Sequence, residues 1–326
     1  MSILITGSGG FVGRNLAESF SKDKYSVLSP SKAELDLTKP DAIGRYFKKN
    51  RIETIIHCAT TSRKGASYPV DTCENNLRMF FNLEKHMTPS MKMINLGSGS
   101  EYARSHWHKK MPEEYFGKYV PEDSHGYSKY LISKYIQDAN RENLFCFRIF
   151  GIFGKHEDYR YKFISNSIVK NLLGLPIIIN QNVIYDYLYI NDLYEILVFF
   201  VNNKTKKKIF NITPAEPIDL VAIARLINKI SGNKCEIKVL NPGIGVEYSG
   251  DNKRLLSEIG KFKFIAYEKA IADLFGYYKK IKDTLDVDAI KRDLYLNYAK
   301  ELRKKYFIKN QAKWRKEAKR NADENT

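Results

Sequence analysis

The first thirteen residues, Met1-Ser2-Ile3-Leu4-Ile5-Thr6-Gly7-Ser8-Gly9-Gly10-Phe11-Val12-Gly13, constrain the fold of this chain more than any other stretch. Ile3, Leu4 and Ile5 make the short apolar run of a buried parallel strand. The run stops at Thr6-Gly7. Glycines recur at Gly7, Gly10 and Gly13, and Phe11, Val12, Leu16, Ala17 and Phe20 then fall at helical spacing. Gly7 lets the chain turn sharply off the strand. Gly10 leaves backbone N–H groups open to a diphosphate, and Gly13 lets the helix lie close to the sheet. The helix start adds unpaired N–H groups and the positive end of its dipole. Glycines alone would fit an ordinary tight turn. A strand before them and a helix after them favour a dinucleotide site, with Phe11, Val12 and Arg14 beside the phosphates.

The alternation continues along the chain. Tyr25–Leu28 reads as a second strand, but no carboxylate follows it before Glu34 to hold an adenosine ribose. Instead Ser29-Pro30-Ser31-Lys32 follows. With Arg14, these small hydroxyls and two cations suit a 2′-phosphate, so the residues favour NADP(H), with NAD(H) the alternative. Thr54–Ala59, Lys92–Leu96 and Leu144–Ile149 read as further buried strands. Helical patterns surround Ile43–Phe47, Asp71–His86 and Ser124–Asn140. This order predicts an α/β fold: a Rossmann-type doubly wound parallel sheet over residues 1–155, completed by about 183–212. Beyond Gly154 the elements shorten, and 156–182 with 213–282 are expected to form a smaller α/β substrate-binding domain. The tail, 283–326, places Ile290, Leu294, Leu296, Tyr298, Leu302 and Tyr306 among many lysines and arginines. It reads as a basic amphipathic helix or helix pair. Docking on the body or on a second subunit is the plain expectation, and contact with a membrane surface or a protein partner the alternative.

A net charge of +17 fits nucleic acid, an anionic surface or diphosphate ligands alike. No nucleic-acid module accompanies it, so diphosphates are the better reading. The four cysteines, Cys58, Cys73, Cys146 and Cys235, have neither disulfide nor metal spacing. His106 and His108 lack a third ligand, and no metal is expected. No signal peptide or membrane span is evident, and a cytoplasmic protein is expected.

Residues in several places together resemble the extended short-chain dehydrogenase/reductases, the nucleotide-sugar epimerase/dehydratase superfamily. They are Thr6–Gly13, Asp36-Leu37, Ala59, Asn76, Leu96-Gly97-Ser98-Gly99-Ser100-Glu101-Tyr102, Arg148–Gly154, Tyr185–Leu193, Phe210-Asn211-Ile212 and Gly250–Lys253. Glu34–Thr38 is most similar to the 4-keto reductases of the GDP-fucose synthase and dTDP-4-dehydrorhamnose reductase type. The resemblance implies that Asp36 and Leu37 meet the adenine side, that Ala59 and Asn76 flank the cofactor, and that a homodimer forms through the active-site helix. It implies a nucleotide-diphosphate sugar as substrate, with Ser100, Tyr102, Arg148, Lys162, Tyr185 and Asp186 on the substrate side.

The family's chemistry uses a hydroxyl, a tyrosine and a lysine four residues after it. Ser98 matches the hydroxyl. In Ser124-His125-Gly126-Tyr127-Ser128-Lys129-Tyr130-Leu131-Ile132-Ser133-Lys134 two registers compete. Either Lys129 is the lysine and His125 stands where the tyrosine should be, or Tyr130 and Lys134 form the pair five residues late. The length left before Leu144 favours Lys129. A histidine can move a proton near neutrality, so His125 is one candidate, and a nearby tyrosine such as Tyr130 is the other. Ser100, where GDP-fucose synthases carry an epimerising cysteine, argues for simple 4-keto reduction or epimerisation through a 4-keto intermediate.

Overall fold

The computed structural model describes residues 1–63 and 67–308. The chain opens with β1 (Ser2–Thr6), α1 (Phe11–Lys22), β2 (Ser26–Leu28), α2 (Pro40–Lys49), β3 (Thr54–His57), α3 (Thr72–Lys85), β4 (Lys92–Ser98), α4 (Ser124–Asp138) and β5 (Leu144–Ile149). It continues with β6 (Gly151–Phe153), α5 (Phe163–Leu172), β7 (Ile177–Asn182), β8 (Ile184–Tyr185), β9 (Tyr187–Tyr189), α6 (Ile190–Asn202) and β10 (Ile209–Ile212). The remaining elements are β11 (Ile218–Asp219), α7 (Leu220–Ser231), β12 (Ile237–Ile244), α8 (Lys253–Ile259), α9 (Tyr267–Lys280), α10 (Val287–Lys291) and α11 (Leu294–Leu302).

A six-stranded sheet of order β10-β5-β4-β3-β1-β2 forms the centre, and all its pairings are parallel. The expected doubly wound sheet is present. Its two faces follow from the two-residue period of the strands. Ile3, Ile5, Ile56, Ile94, Phe145 and Phe147 meet Leu16 and Phe20 of α1 and Leu197 and Phe200 of α6. The intervening Leu4, Ile55, Met93 and Leu144 meet Ile43, Phe80, Leu83, Ile132 and Ile136 from α2, α3 and α4. Strands covered on both sides have to be apolar throughout, which is why β3 and β5 read as continuous runs. The sheet order reverses beside β1, and the loops after β1, β3 and β4 open at the same carboxyl edge.

Beyond β5 the strands pair in twos: β6 with β9, β7 with β12, and β8 with β11. β8 and β9 stand on either side of Asp186, and β10 rejoins the central sheet beside β5. The described part of the tail docks on the body. Lys170, buried in α5, pairs with Asp293 at 2.7 Å. Tyr295 packs on Phe163 with ring centroids 5.4 Å apart, and Arg303 Nε donates to Gln181 Oε1 at 3.1 Å. Residues 309–326 of the expected tail lie outside the described residues. Among the described residues no helix is long and apolar enough to cross a membrane.

Candidate functional site

The loop after β1 is shaped by what cannot fit there. Gly7 has φ +68°, and a Cβ on it would stand 2.8 Å from the Ala59 Cα. A Cβ on Gly13 would collide with the Gly7 carbonyl. Gly10 N donates to Gly7 O at 2.9 Å and caps α1 without a side chain, and no acidic residue sits in the first turn. The first N–H groups of α1 are thus left to an anion. Ser8 Oγ donates to Ser29 O at 3.0 Å, which ties this loop to the end of β2. Phe11 and Val12 lie half-buried at the helix start, and Arg14 is exposed and paired with Glu18 at 3.2 Å. Asp36 Oδ1 accepts from Thr38 Oγ1 and N, and these bonds hold its carboxyl below the usual range. Leu37 beside it is buried. Ala59 N donates to Thr6 Oγ1 at 3.3 Å. Asn76 then bridges two elements: its Oδ1 accepts from Thr61 N at 2.8 Å and its Nδ2 donates to Ser128 Oγ at 2.9 Å. These residues suit a dinucleotide.

Ser98 ends β4 and starts a tight helical turn closed by a capping box. Glu101 Oε1 accepts from Ser98 N at 2.8 Å, and the Ser98 side chain accepts from Ser100 N. Ser100 Oγ also donates to Ser98 Oγ at 2.9 Å. Glu101 is held in turn by Arg148, whose Nε donates to Oε2 at 2.8 Å. Arg148 completes its bonds with Tyr102 Oη at 3.1 Å and Ser133 Oγ at 2.8 Å, and Tyr102 Oη donates to Asn211 Oδ1 at 2.7 Å. Tyr102 and Arg148 were expected on the substrate side. Both are buried in this network instead, and their polar atoms are spent on Glu101, Ser133, Asn211 and each other. Ser100 likewise lies beneath Ser98 rather than in the cavity.

Asp123 caps α4 by accepting from Gly126 N at 2.9 Å, which fixes His125 in the first turn. The backbone carbonyl of His125 accepts from Ser128 Oγ at 2.8 Å. Lys129 points inward and donates to Leu96 O at 2.7 Å, and burial lowers its pKa. Lys134 is exposed and paired with Asp138. Tyr130 packs against Phe116, with ring centroids 4.8 Å apart, and does not line the cavity. Of the two registers' residues, His125 alone lines the cavity: Lys129 is buried under β4, and Tyr130 and Lys134 lie away from it.

A cavity of about 480 Å³ opens beside Ser98. His125, Lys162 and Tyr185 line it with Ser98, as do Arg63, Tyr68, Arg104, Trp107, Glu157 and Tyr248. Asp186 does not line it. It is buried, accepts from Gly250 N at 2.7 Å, and is pushed up to about 7 by burial. His125 is held well below its ordinary pKa by burial, then by Lys129, Arg104, Arg63 and Lys162. Its Nδ1 is buried with no hydrogen-bond partner among the described residues. Burial also raises Glu157 to about 7. Ser165 donates to one of its oxygens, and the other finds no partner among the described residues. Sequence reading missed Arg63, Tyr68, Glu157 and Tyr248. They sit in loops or irregular stretches without a motif, and only the density of aromatic residues hinted at them.

Among the described residues no cluster of three or more His, Cys, Asp or Glu side chains could hold a metal. His106 instead stacks on Tyr119, and His108 Nδ1 lies 2.9 Å from Lys109 O.

Comparison with known proteins adds to this geometry. Residues 3–213 match the NAD dependent epimerase/dehydratase family. GDP-L-colitose synthase of Yersinia pseudotuberculosis is 25% identical over 307 residues, spanning 87% of this chain and 99% of that protein. MlghC, the GDP-mannoheptose C4 reductase from Campylobacter jejuni solved with NADP bound, superposes with a TM-score of 0.73 at 18% identity, covering 85% of this chain and 98% of its own. The Thermus thermophilus UDP-glucose 4-epimerase in complex with NAD superposes at 0.69 and 18% identity, covering 86% and 99%.

Proposed function

The chain belongs to the NAD dependent epimerase/dehydratase family, and from that premise we propose that it reduces a nucleotide-diphosphate 4-keto sugar at C4 with NADP(H). The observation that carries this reading is the meeting of Ser98 and His125 on one cavity whose other polar walls include Arg63, Arg104 and Lys162. A cationic cavity next to a hydroxyl suits a sugar joined to a diphosphate.

Gly7, Gly10, Gly13 and the start of α1 would hold the dinucleotide diphosphate, and Asp36, Leu37, Ala59 and Asn76 would frame the adenosine and ribose. Arg14 and Lys32 support NADP(H) over NAD(H). When bound, the cofactor supplies or accepts the hydride at the sugar carbon. Ser98 Oγ accepts from Ser100 N and Oγ, and its own O–H, which faces the Tyr248 hydroxyl, would turn to hydrogen-bond the sugar carbonyl. As the carbonyl carbon takes the hydride, its oxygen takes a proton from the His125 imidazolium. His125 Nδ1, which lacks a partner among the described residues, is the atom assigned to that transfer. Lys129, whose Nζ donates to Leu96 O, would hold the nicotinamide ribose when the cofactor is bound. Lys162 and Tyr185 contact the substrate. A second copy of the chain would pack against α3 and α4, and the exposure of Phe81 and Tyr127 there supports this reading.

The test is NADPH oxidation followed at its absorbance maximum, with 4-keto-6-deoxy sugars carried on GDP, dTDP, UDP and CDP. At least one is expected to be consumed with NADP⁺ released, and Ser98→Ala is expected to lose about two to three orders of magnitude in kcat/KM. Oxidation of none of them would sink the proposal. Epimerisation is the competing reading, and it would show as inversion at C4 of a 4-hydroxy nucleotide sugar without deuterium uptake from solvent, with the cofactor retained.

A further inference from the structure

The tail was expected to dock as an amphipathic helix, and where it docks, α11 and the residue after it form a side of the cavity. Tyr295, Tyr298, Ala299, Leu302 and Arg303 line it alongside Ser98 and His125. The helix is fixed there at both ends. Lys170 pairs with Asp293 at its start, and Arg303 bonds Gln181 at its finish. Asn180 Nδ2 reaches the Ala299 carbonyl in between. A column of rings and cation joins α11 to the reacting end. The Arg63 guanidinium lies 4.5 Å over the Tyr298 ring and 5.7 Å over the Tyr68 ring. Tyr68 in turn lies parallel to the His125 ring, 4.5 Å away and at 3°.

We propose that α11 is a specificity-determining wall of the sugar-nucleotide cavity, and that Tyr298 is a positioning residue acting through Arg63 and Tyr68 on His125. The inference rests on the sugar-nucleotide reading of the cavity. A pre-ordered helix presents tyrosine rings and a guanidinium without an ordering cost at binding. Stacked rings and a planar guanidinium are also the groups that receive a base and a diphosphate. The bulk at Leu302 limits what the wall admits, and the hold on Arg63 limits how far the Tyr68–His125 pair can tilt.

The experiment uses full-length variants, with steady-state kinetics and with calorimetric binding of GDP, UDP and dTDP to the NADP⁺-loaded protein. Leu302→Trp fills the wall. It is expected to raise KM and the nucleotide Kd about tenfold or more, with kcat and the NADP⁺ Kd within about twofold. Tyr298→Ala is expected to lower kcat about tenfold and to displace the pH limb assigned to His125, while Tyr298→Phe restores both. If both Leu302→Trp and Tyr298→Ala leave KM, kcat and the pH profile within about twofold of wild type, α11 is only a cover and the inference is overturned. Wild-type protein that takes up NADP⁺ but none of the nucleoside diphosphates would overturn the cavity reading itself, and this inference with it, before any variant is made.

Discussion

Neutral His125 is an unusual proton donor, and its surroundings say how it should behave. Burial and four neighbouring cations keep the ring uncharged through the neutral range. Reduction draws on the rare imidazolium. Its kcat/KM should therefore rise about tenfold for each pH unit lost, until the pH nears the lowered pKa. Oxidation of the product alcohol uses the neutral ring and should be flat over the same range. His125→Phe is expected to remove the acid dependence and to lower kcat by about 10²–10⁴. A limb near the phenol range, unchanged in that variant, would assign the proton to a tyrosine instead. Glu157 offers a separate test in the resting protein. Burial lifts it from an ordinary 4.5 to about 7. An acid whose folded pKa exceeds its unfolded one weakens the fold as pH rises between the two values. Glu157→Gln should therefore match wild type in denaturant titrations near pH 4 and exceed it by up to about 3 kcal/mol near pH 8. A variant that is no more stable at the higher pH would contradict this account of the carboxyl.

Two elements, β4 and α4, bring the reacting groups together, and the Glu101–Arg148 pair locks the turn between them. Both side chains are almost fully buried. Removing one partner strands the other charge, so Glu101→Ala should cost about 3–5 kcal/mol of stability in urea titration. It should also lower kcat by loosening Ser98, with NADP⁺ affinity retained. Loss of cofactor binding with kcat intact would contradict the role given to the capping box. The elements themselves were legible in the sequence because buried parallel strands read as apolar runs and buried helices as stripes. Leu144–Ile149 falls where the pattern put it. Residue roles were less legible. Arginine and tyrosine beside a reacting serine look like substrate contacts, and only packing shows Arg148 and Tyr102 turned inward. Glu157 sits in a polar loop, Gly154-Lys155-His156-Glu157-Asp158, where a carboxylate reads as solvated. The amphipathic stripe of α11 marked an apolar face without naming what it covers, so its place on the cavity could not be read.

At the scale of the whole molecule, the sheet, the second group of strands and the tail enclose one cationic cavity. The helices α3 and α4, which face away from the α1 side of the sheet, leave Phe81 37% and Tyr127 40% exposed. A homodimer through that face predicts that Phe81→Glu shifts the sedimentation of the protein from dimer to monomer. An unchanged sedimentation coefficient would place the contact elsewhere. The central claim concerns the hydride, and isotopic labelling tests it most directly. The protein is incubated with NADPH deuterated at nicotinamide C4 and with the nucleotide-diphosphate 4-keto sugar it consumes, and the product is examined by mass spectrometry and NMR. The account predicts one deuterium, on C4 of the sugar, with stoichiometric release of NADP⁺. A product without deuterium, or with the label at another carbon, would contradict it.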